Sequence, residues 1–210
     1  MRQVKEYWCP DDDKEIVPTV LNEWDTKGVY ALSLCASNNT VVQAGGNIGI
    51  FPIKLAEFFK RVITFEPFDE NIRCLKANIA ATECNNITVY EAALSDNDNS
   101  LAITEAPKYN CGAVTVGGEG NITAIPLDSL QLDSLDLLWL DVEGFEWKVL
   151  LGGVETIKKY KPVIILENKG LIPGFGGDLK GSDKLVEELE KIGYKKVRRI
   201  MRDDFYVYKN

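Results

Sequence analysis

The sequence predicts an α/β protein with a Rossmann-like, doubly wound sheet of seven strands that is mostly parallel and ends in a C-terminal antiparallel hairpin. From residue 40 onward, short runs of β-branched and apolar residues alternate five times with amphipathic stretches of helical period. This alternation is typical of a parallel sheet with helices on both faces. Two further strand-like runs, 195–201 and 205–208, follow a last helix and predict the hairpin, with its turn at 202–204.

Each element of the predicted fold has its own local signal. Asp69 is a candidate N-cap for the helix after the second strand, and Ser182 is a candidate N-cap for the last helix. Shorter strands are predicted at 101–104 and at the end of the glycine-rich stretch 110–121, before Pro126, and the glycine-rich segment 168–181 is predicted to be a loop. The five apolar runs that predict the parallel strands are 40–44, 61–66, 87–92, 135–141 and 162–167.

The part of the chain before residue 40 is predicted to be an addition to one main domain. Residues 1–14 are polar and acidic and predict a loosely attached arm. Two weakly amphipathic helical stretches follow between residues 15 and 37. We therefore expect a helical lead-in over 1–39 and a Rossmann-like domain over 40–210, with no linker that divides the chain into separate domains.

Composition narrows the class of function. The 210 residues carry a net charge of −8, which disfavours a nucleic-acid partner, and the basic run 195–199 is interpreted as the solvated side of a strand. No apolar run is long enough for a membrane span or a signal peptide, so we expect a cytoplasmic protein without a membrane partner. The five cysteines form no metal-binding or disulfide pattern, and the absence of histidine removes the commonest general base.

A glycine-containing turn is predicted directly after the first strand, where a ligand can approach the backbone. It does not match the Gly-x-Gly-x-x-Gly pattern that dinucleotide-binding folds use for a pyrophosphate. It does match the looser acidic-x-Gly-x-Gly-x-Gly pattern of S-adenosylmethionine enzymes, at Gln43, Gly45, Asn47 and Gly49. Gln43 replaces the acid and Asn47 the middle glycine, and a tight turn without any ligand would be an alternative reading.

Glu66 ends the second predicted strand and is followed by Pro67 and Phe68. A carboxylate at this position can accept hydrogen bonds from both hydroxyls of a ribose, and the Phe68 ring can lie against an adenine. The alternative is an ordinary charged residue in solvent at the end of a strand. The offset of Glu66 from the glycine turn favours the ligand-binding interpretation.

Polar side chains also end the fourth and fifth predicted strands. Asp141 and Glu143 follow the fourth strand, and Glu167 and Asn168 follow the fifth. Because the carboxyl ends of parallel strands meet at one edge of the sheet, we expect these groups to lie near the glycine turn. An alternative is that Asp141 and Glu143 only cap the next helix and favour its dipole.

Six motifs of the chain resemble, in order and spacing, those of FkbM-type methyltransferases. They span about residues 40–168 and read VVQAGGNIGIF, ITFEPFDENIRCLKANI, YEAALSD, PLDSL, LDLLWLDVEGFEWKVLLGG and PVIILEN. Members of this family are S-adenosylmethionine-dependent enzymes with a Rossmann-like fold, and many methylate hydroxyl groups of sugars or related natural products. The resemblance implies a methyltransferase domain over 40–210 and O-methylation of a small-molecule or glycan acceptor.

The resemblance also implies roles for individual residues. Asp141 would border the methionine amino group of the cofactor or the reacting centre, and Glu66 would hold the ribose hydroxyls. The family usually has aspartate where this chain has Gln43, and glutamine lacks the charge that would attract the cofactor's ammonium group. The other residues that the resemblance places at the cofactor are Gly45, Asn47, Gly49, Phe68, Asn71, Ala93, Leu94 and Ser95.

Methyl transfer from a sulfonium to a hydroxyl needs alignment of the reacting atoms and a base that takes the hydroxyl proton. Without histidine, the candidate catalytic bases are Asp141, Glu143 and Glu167, because clustered carboxylates are suited to a base that works near neutrality. A divalent metal on Asp141, Glu167 and Asn168, as in catechol-type methyltransferases, is the less favoured alternative.

Two other classes of function stay open. One is a dinucleotide-using oxidoreductase or nucleotide-sugar enzyme, against which the missing pyrophosphate pattern counts. The other is a catalytically weakened binding protein that keeps the fold, which the glutamine at position 43 and the absent histidine would suit. The acceptor is expected to contact the N-terminal helices, the segment 105–121 and the loop 168–181.

Overall fold

The structure, a computed structural model, describes residues 1–13, 15–168 and 187–209. A further helix is described over residues 187–191. In chain order the named elements are β1 (Arg2–Val4), β2 (Tyr7–Cys9), α1 (Ile16–Leu34), β3 (Thr40–Ala44), α2 (Ile50–Ala56), β4 (Arg61–Phe65), α3 (Asp69–Ala80), β5 (Ile87–Tyr90), β6 (Ala93–Ser95), β7 (Leu101–Glu105), β8 (Thr115–Ile122), β9 (Ala124–Pro126), a 3₁₀ turn (Leu127–Ser129), β10 (Leu137–Leu140), α4 (Glu146–Leu151), α5 (Val154–Tyr160), β11 (Val163–Glu167), β12 (Tyr194–Ile200) and β13 (Asp203–Tyr208).

Seven strands form the central sheet in the order β12-β13-β11-β10-β3-β4-β5. The strands from β11 to β5 pair in parallel, whereas β13 runs antiparallel to both β11 and β12. The predicted α/β class, the seven strands and the C-terminal hairpin are therefore confirmed, and the sheet is mixed. The chain runs from β3 outward to β5 and then returns to β10 beside β3. Open α/β sheets bind their ligands at such a reversal of strand order.

Helices cover both faces of this sheet. Successive strand residues point to opposite faces, so Val41 and Val42 of β3 belong to two different apolar clusters. The cluster of Val42 includes residues of α4 and α5, whereas the cluster of Val41 includes Trp24 of α1 and Leu55 of α2. Near-continuous apolar strands are what a sheet buried on both faces requires. Among the described residues, no helix has both the length and the apolar composition that crossing a membrane requires.

The expectation of a loose N-terminal arm is wrong. β1 and β2 form an antiparallel hairpin, and Tyr7 and Cys9 are buried. The Asn78 side chain of α3 holds the hairpin, since it accepts from the Trp8 amide at 2.6 Å and donates to the Trp8 carbonyl at 2.8 Å. The two helical stretches expected between residues 15 and 37 are one continuous helix, α1.

Three smaller expectations also need correction. Asp69 is the first residue of α3 and Phe68 stands at its N-cap, where no side chain caps the helix. The strand expected over 87–92 ends at Tyr90, and the chain then enters β6, which pairs with β9 in a separate small sheet. The turn of the C-terminal hairpin lies at 201–202, since β13 already begins at Asp203. The predicted N-cap at Ser182 and the loop segment 169–181 lie outside the described residues.

Candidate cofactor-binding and active site

A cleft of about 880 Å³, a volume that includes the solvent at its mouth, opens at the carboxyl ends of β3, β4 and β10. α1 and the segments 92–94 and 111–116 contribute further walls. The charged residues among its described lining are all acidic: Glu23, Glu66 and Asp141. The cleft therefore lies where the strand order reverses, as expected for a ligand site of an open α/β sheet.

The turn after β3 is held against both neighbouring strands. The amides of Gly45 and Gly46 donate to the carbonyl of Phe65 at 3.0 and 2.8 Å, and the Asp141 amide donates to the carbonyl of Ala44 at 3.1 Å. Gly45 has a φ of 87°, and a Cβ at this position would lie 1.9 Å from the Asp141 carbonyl oxygen. Only glycine fits here, because both the backbone conformation and the close approach of Asp141 exclude a side chain.

Gln43 is buried, and its amide serves the turn itself. Its Nε2 donates to the carbonyls of Gly45 at 2.7 Å and Ala44 at 3.3 Å, while its Oε1 accepts from the Thr64 hydroxyl at 2.6 Å. Aspartate has no donor for these carbonyls. The glutamine therefore stabilises the turn in a way that an acid at the same position does not.

Asn47 and Gly49 continue the turn into α2. Asn47 has a left-handed φ of 48°, and its side-chain Oδ1 accepts from the Ile48 amide at 2.6 Å. Gly49 has a φ of 93°, and a Cβ there would lie 3.3 Å from the Leu75 backbone. Asn47 lines the cleft, whereas Gly49 allows α2 to pack closely on α3 behind it.

Glu66 is the most buried charged group of the cleft, with 4% of its surface exposed. Its Oε2 accepts from the Asn47 amide at 2.7 Å, and its Oε1 accepts from the Phe68 amide at 3.0 Å. Burial raises the pKa of this carboxyl to about 7, although the hydrogen bonds from Phe68, Asn47 and Asn71 favour the charged form. The carboxyl therefore changes its charge near neutral pH.

Asn71 of α3 also lines the cleft, and one of its polar atoms has no partner in the described part of the chain. Its Nδ2 donates to the Cys111 carbonyl at 2.9 Å and approaches Glu66 Oε1 at 3.4 Å. Its Oδ1 is buried and has no hydrogen-bond partner among the described residues. A buried acceptor without a partner costs about 1–3 kcal/mol, so this atom is suited to a donor from a ligand.

The other residues expected at the cofactor divide into two groups. Phe68 borders a different surface depression with Met1 and Arg73, and Ser95 is buried and donates to Asp96 Oδ1 at 3.1 Å. Neither they nor Gly49 line the cleft. The expected residues that do line it are Gln43, Gly45, Asn47, Glu66, Asn71, Ala93, Leu94 and Asp141.

The three expected catalytic carboxylates come together at the ends of β10 and β11. Asp141, Glu143 and Glu167 each place one oxygen within 4.8 Å of the others, and only Asp141 lines the cleft. Glu167 also forms an ion pair with Arg202 Nε at 3.1 Å. Oxygen atoms in such a group are suitable ligands for a hard divalent cation. The Asn168 amide, which the metal alternative also needs, donates to Asp204 Oδ2 at 2.9 Å.

An ion pair beside this cluster was missed by sequence reasoning. Lys27 of α1 is buried and pairs with Asp203, and its Nζ lies 3.4 Å from Glu23 Oε2. Burial raises the pKa of Asp203 to about 6, against the effect of Lys27. The i,i+4 spacing of Glu23 and Lys27 in the sequence is typical of an ion pair on one face of a helix. The pairing of Lys27 with Asp203, which is 176 positions away in the chain, has no such local signal.

Part of the segment 105–121, which was expected at the acceptor, forms a wall of the cleft, and the N-terminal segment fixes it through a contact that the sequence did not indicate. The buried Asp13 accepts from the Ile16 amide at 2.9 Å and, through its other oxygen, from the Cys111 amide at 2.8 Å. Asn71 binds the Cys111 carbonyl, so this peptide segment is fixed on both sides. Cys111 and Gly112 both line the cleft.

The sheet order, the glycine turn and the buried acid after β4 define an α/β protein of the Rossmann-like class. Within that class, the chain belongs to the FkbM methyltransferase family: the model of the methyltransferase FkbM domain matches residues 43–201. The family resemblance seen in the sequence is thereby confirmed. No curated protein matches the chain.

Solved structures of methyltransferases share this fold at low sequence identity. Methyltransferase FkbM from Methylobacillus flagellatus KT has a TM-score of 0.55 and 16% identity, over 97% of this chain and 56% of that one. Magnesium protoporphyrin IX methyltransferase from Synechocystis PCC 6803, solved with bound SAM, has a TM-score of 0.58 and 14% identity over 100% and 86%. N-methyltransferase NodS from Bradyrhizobium japonicum WM9 has a TM-score of 0.58 and 10% identity over 94% and 100%. The chain thus spans little more than half of the first of these proteins.

Proposed function

We propose that this protein is an S-adenosylmethionine-dependent methyltransferase and that the cleft beside β3 binds the cofactor. The observation that carries the proposal is the combination of a glycine turn with the buried Glu66 in a chain of a methyltransferase family. A dinucleotide-using enzyme is disfavoured because the turn lacks the glycine spacing that accommodates a pyrophosphate.

The residues of the cleft fit this cofactor. Glu66 has lone pairs for the ribose hydroxyls, and the unpartnered Asn71 Oδ1 offers a further acceptor to a cofactor donor. Gly45 lines the cleft and allows the turn to pack closely against the Asp141 backbone. Glu23 and Asp141 supply negative charge for a cofactor that carries a sulfonium and an ammonium group. Gln43 acts through the shape of the turn, because its amide is occupied by backbone carbonyls.

Bound S-adenosylmethionine would supply a methyl group activated by the positive charge on its sulfur. We propose Asp141 as the base, since it is the member of the carboxylate cluster that lines the cleft. A positioned base typically contributes about 10²- to 10⁴-fold to the rate. Glu143 and Glu167 lie beside it, each with one oxygen within 4.8 Å of the others. Following the family resemblance, we propose a hydroxyl of a sugar or other small molecule as the acceptor.

Titration calorimetry with S-adenosylhomocysteine and with NAD tests the cofactor. We expect the wild type to bind S-adenosylhomocysteine and not NAD. Glu66→Gln should weaken S-adenosylhomocysteine binding by about 10- to 100-fold, because hydrogen bonds to a charged acceptor contribute about 1.5–3 kcal/mol. Glu70→Gln, at an exposed position of α3, is the matched control and should bind as the wild type does. Binding of NAD alone would refute the proposal.

A methyl-release assay with a panel of hydroxyl acceptors then separates an enzyme from a binding protein. Asp141→Asn should lose activity while it retains the fold, because the amide is no longer a base. Binding of S-adenosylhomocysteine without methyl release from S-adenosylmethionine to any hydroxyl acceptor would favour the catalytically weakened alternative.

A further inference from the structure

The turn between β10 and α4 has an unusual backbone. Glu143 has a φ of 55° and Gly144 a φ of 93°, so two consecutive residues are left-handed. A non-glycine residue in this region is disfavoured, and surrounding contacts must hold it. The turn carries both Asp141 and Glu143, so its conformation decides where these two carboxylates point.

The side chain of Glu146 supplies those contacts. It is the first residue of α4 and only 5% exposed. Its Oε1 accepts from the Val142 amide at 3.1 Å and from the Gly144 amide at 3.4 Å. These two amides flank Glu143 on either side. One carboxyl oxygen therefore closes the turn around the left-handed residue.

Asp141 is held from the opposite direction by β3. Its amide donates to the carbonyl of Ala44, and its own carbonyl oxygen packs against Gly45. The backbone on the amino-terminal side of the Asp141 carboxylate is thus fixed by the glycine turn. On its carboxyl-terminal side, the bonds accepted by Glu146 begin at the very next residue, Val142.

We infer that Glu146 is a positioning residue that holds the turn of Asp141 and Glu143, and so keeps the Asp141 carboxylate at the end of the cleft where the amino-acid part of the cofactor would lie beside the reacting centre. This inference rests on the proposed function for the identity of the ligand. Glu146 does not line the cleft, so it acts through the turn and not by contact with the ligand.

The charge of Glu146 is consistent with this role. Burial raises the pKa of its carboxyl to about 7, and the negative charge of Asp141 acts in the same direction. The neutral acid retains an acceptor oxygen for the two turn amides without adding a charge beside Asp141. Glutamine has the same shape and the same acceptor, so it should replace Glu146 in this role.

Two probes separate this role from a general effect on stability. S-adenosylhomocysteine carries the amino-acid part of the cofactor, whereas 5′-methylthioadenosine contains the same nucleoside and sulfur without it. Glu146→Leu removes the acceptor at nearly constant size and should weaken S-adenosylhomocysteine binding about tenfold, while 5′-methylthioadenosine binding changes by less than about twofold. Glu146→Gln should bind both probes as the wild type does, and so should Glu155→Leu, an exposed control in the first turn of α5.

The possible outcomes are distinct. An equal loss of both probes, or unchanged S-adenosylhomocysteine binding by Glu146→Leu, would overturn the positioning role while leaving the proposed function intact. A wild type that binds neither probe would overturn both. If Glu146→Leu does not fold, Glu146→Ser replaces it, because the serine hydroxyl is too short to span the turn. This variant should also weaken S-adenosylhomocysteine binding and leave 5′-methylthioadenosine binding unchanged. Equal binding changes for the two probes would refute the inference.

Discussion

Glu66 should make the folded protein less stable as the pH rises from about 4.5 to about 7. The carboxyl is fully buried in the cleft wall, and burial raises its pKa from 4.5 to about 7 in the folded state. The folded state therefore binds this proton more tightly than the unfolded state does. The resulting stabilisation is fully present below the unfolded pKa and is lost as the pH rises through the folded pKa.

The size of this effect follows from the difference between the two pKa values. About 2.5 pH units, at about 1.4 kcal/mol per unit, correspond to about 3–4 kcal/mol of unfolding free energy. About 2 kcal/mol of this loss falls between pH 5.5 and pH 8.5. Glu146 and Asp203, whose pKa values burial raises to about 7 and about 6, contribute in the same direction. A variant of Glu66 is therefore needed to separate its contribution to the pH dependence of stability from theirs.

Glu66→Gln isolates that contribution because glutamine does not titrate. It faces the amides of Asn47 and Phe68 with only one acceptor oxygen, so it loses a hydrogen bond at every pH. That constant loss cancels when the variant is compared with the wild type at two pH values. We expect the free energy of unfolding of Glu66→Gln, taken relative to that of the wild type, to rise by about 2 kcal/mol between pH 5.5 and pH 8.5.

Urea unfolding of both proteins at the two pH values measures this difference. Glu70→Gln serves as the control, since its exposed side chain should leave the comparison unchanged. A difference between Glu66→Gln and the wild type that stays constant within about 0.5 kcal/mol would refute the reasoning, because a raised pKa of a buried carboxyl must appear in the pH dependence of stability.

Three further predictions concern the same region. S-adenosylhomocysteine should bind more tightly as the pH rises toward about 7, because the charged carboxylate after β4 accepts hydroxyl hydrogen bonds better, and calorimetry in buffers of different ionisation enthalpy should detect the released proton. Gly45→Ala should abolish folding or binding, whereas Gly118→Ala, also left-handed but with open space around it, should cost only about 1–2 kcal/mol in thermal unfolding. Lys27→Met should lower the free energy of unfolding by about 3–5 kcal/mol in urea, because it leaves Asp203 buried without its cation. The control Lys54→Met should lower it by less than about 1 kcal/mol, because the ion pair of Lys54 is exposed to solvent.

The sequence predicted those elements whose signals are local. β3 was predicted to the residue, because four of its five residues are apolar or β-branched and a glycine turn follows directly. The strand expected over 87–92 was too long, since β-branched content does not tell where a strand leaves one sheet for another. The polar residues of 1–14 concealed a hairpin whose burial depends on α3, which is more than 60 positions away in the chain.

Much of the candidate site was also predictable, because parallel strands bring their carboxyl ends to one edge. This rule predicts that Gln43, Glu66 and Asp141 lie close together, and all three line the same cleft. It could not give the direction of each side chain. Phe68 follows Glu66 by two positions, yet it borders another depression, because Pro67 and the start of α3 turn the chain away from the cleft.

The contacts that sequence reasoning missed lie largely in one part of the chain. Asp13, which fixes the Cys111 segment, and the pair of Glu23 and Lys27 on α1 all precede residue 43, where the match to the family model begins. The matched part contains the glycine turn, Glu66 and the carboxylate cluster, which are the groups that we propose for the cofactor and the proton. The walls supplied from outside it therefore have no counterpart in the shared motifs. We expect the choice of acceptor to differ among family members mainly through such walls, and exchange of residues 1–39 between relatives with known acceptors, followed by methyl-release assays, would test this.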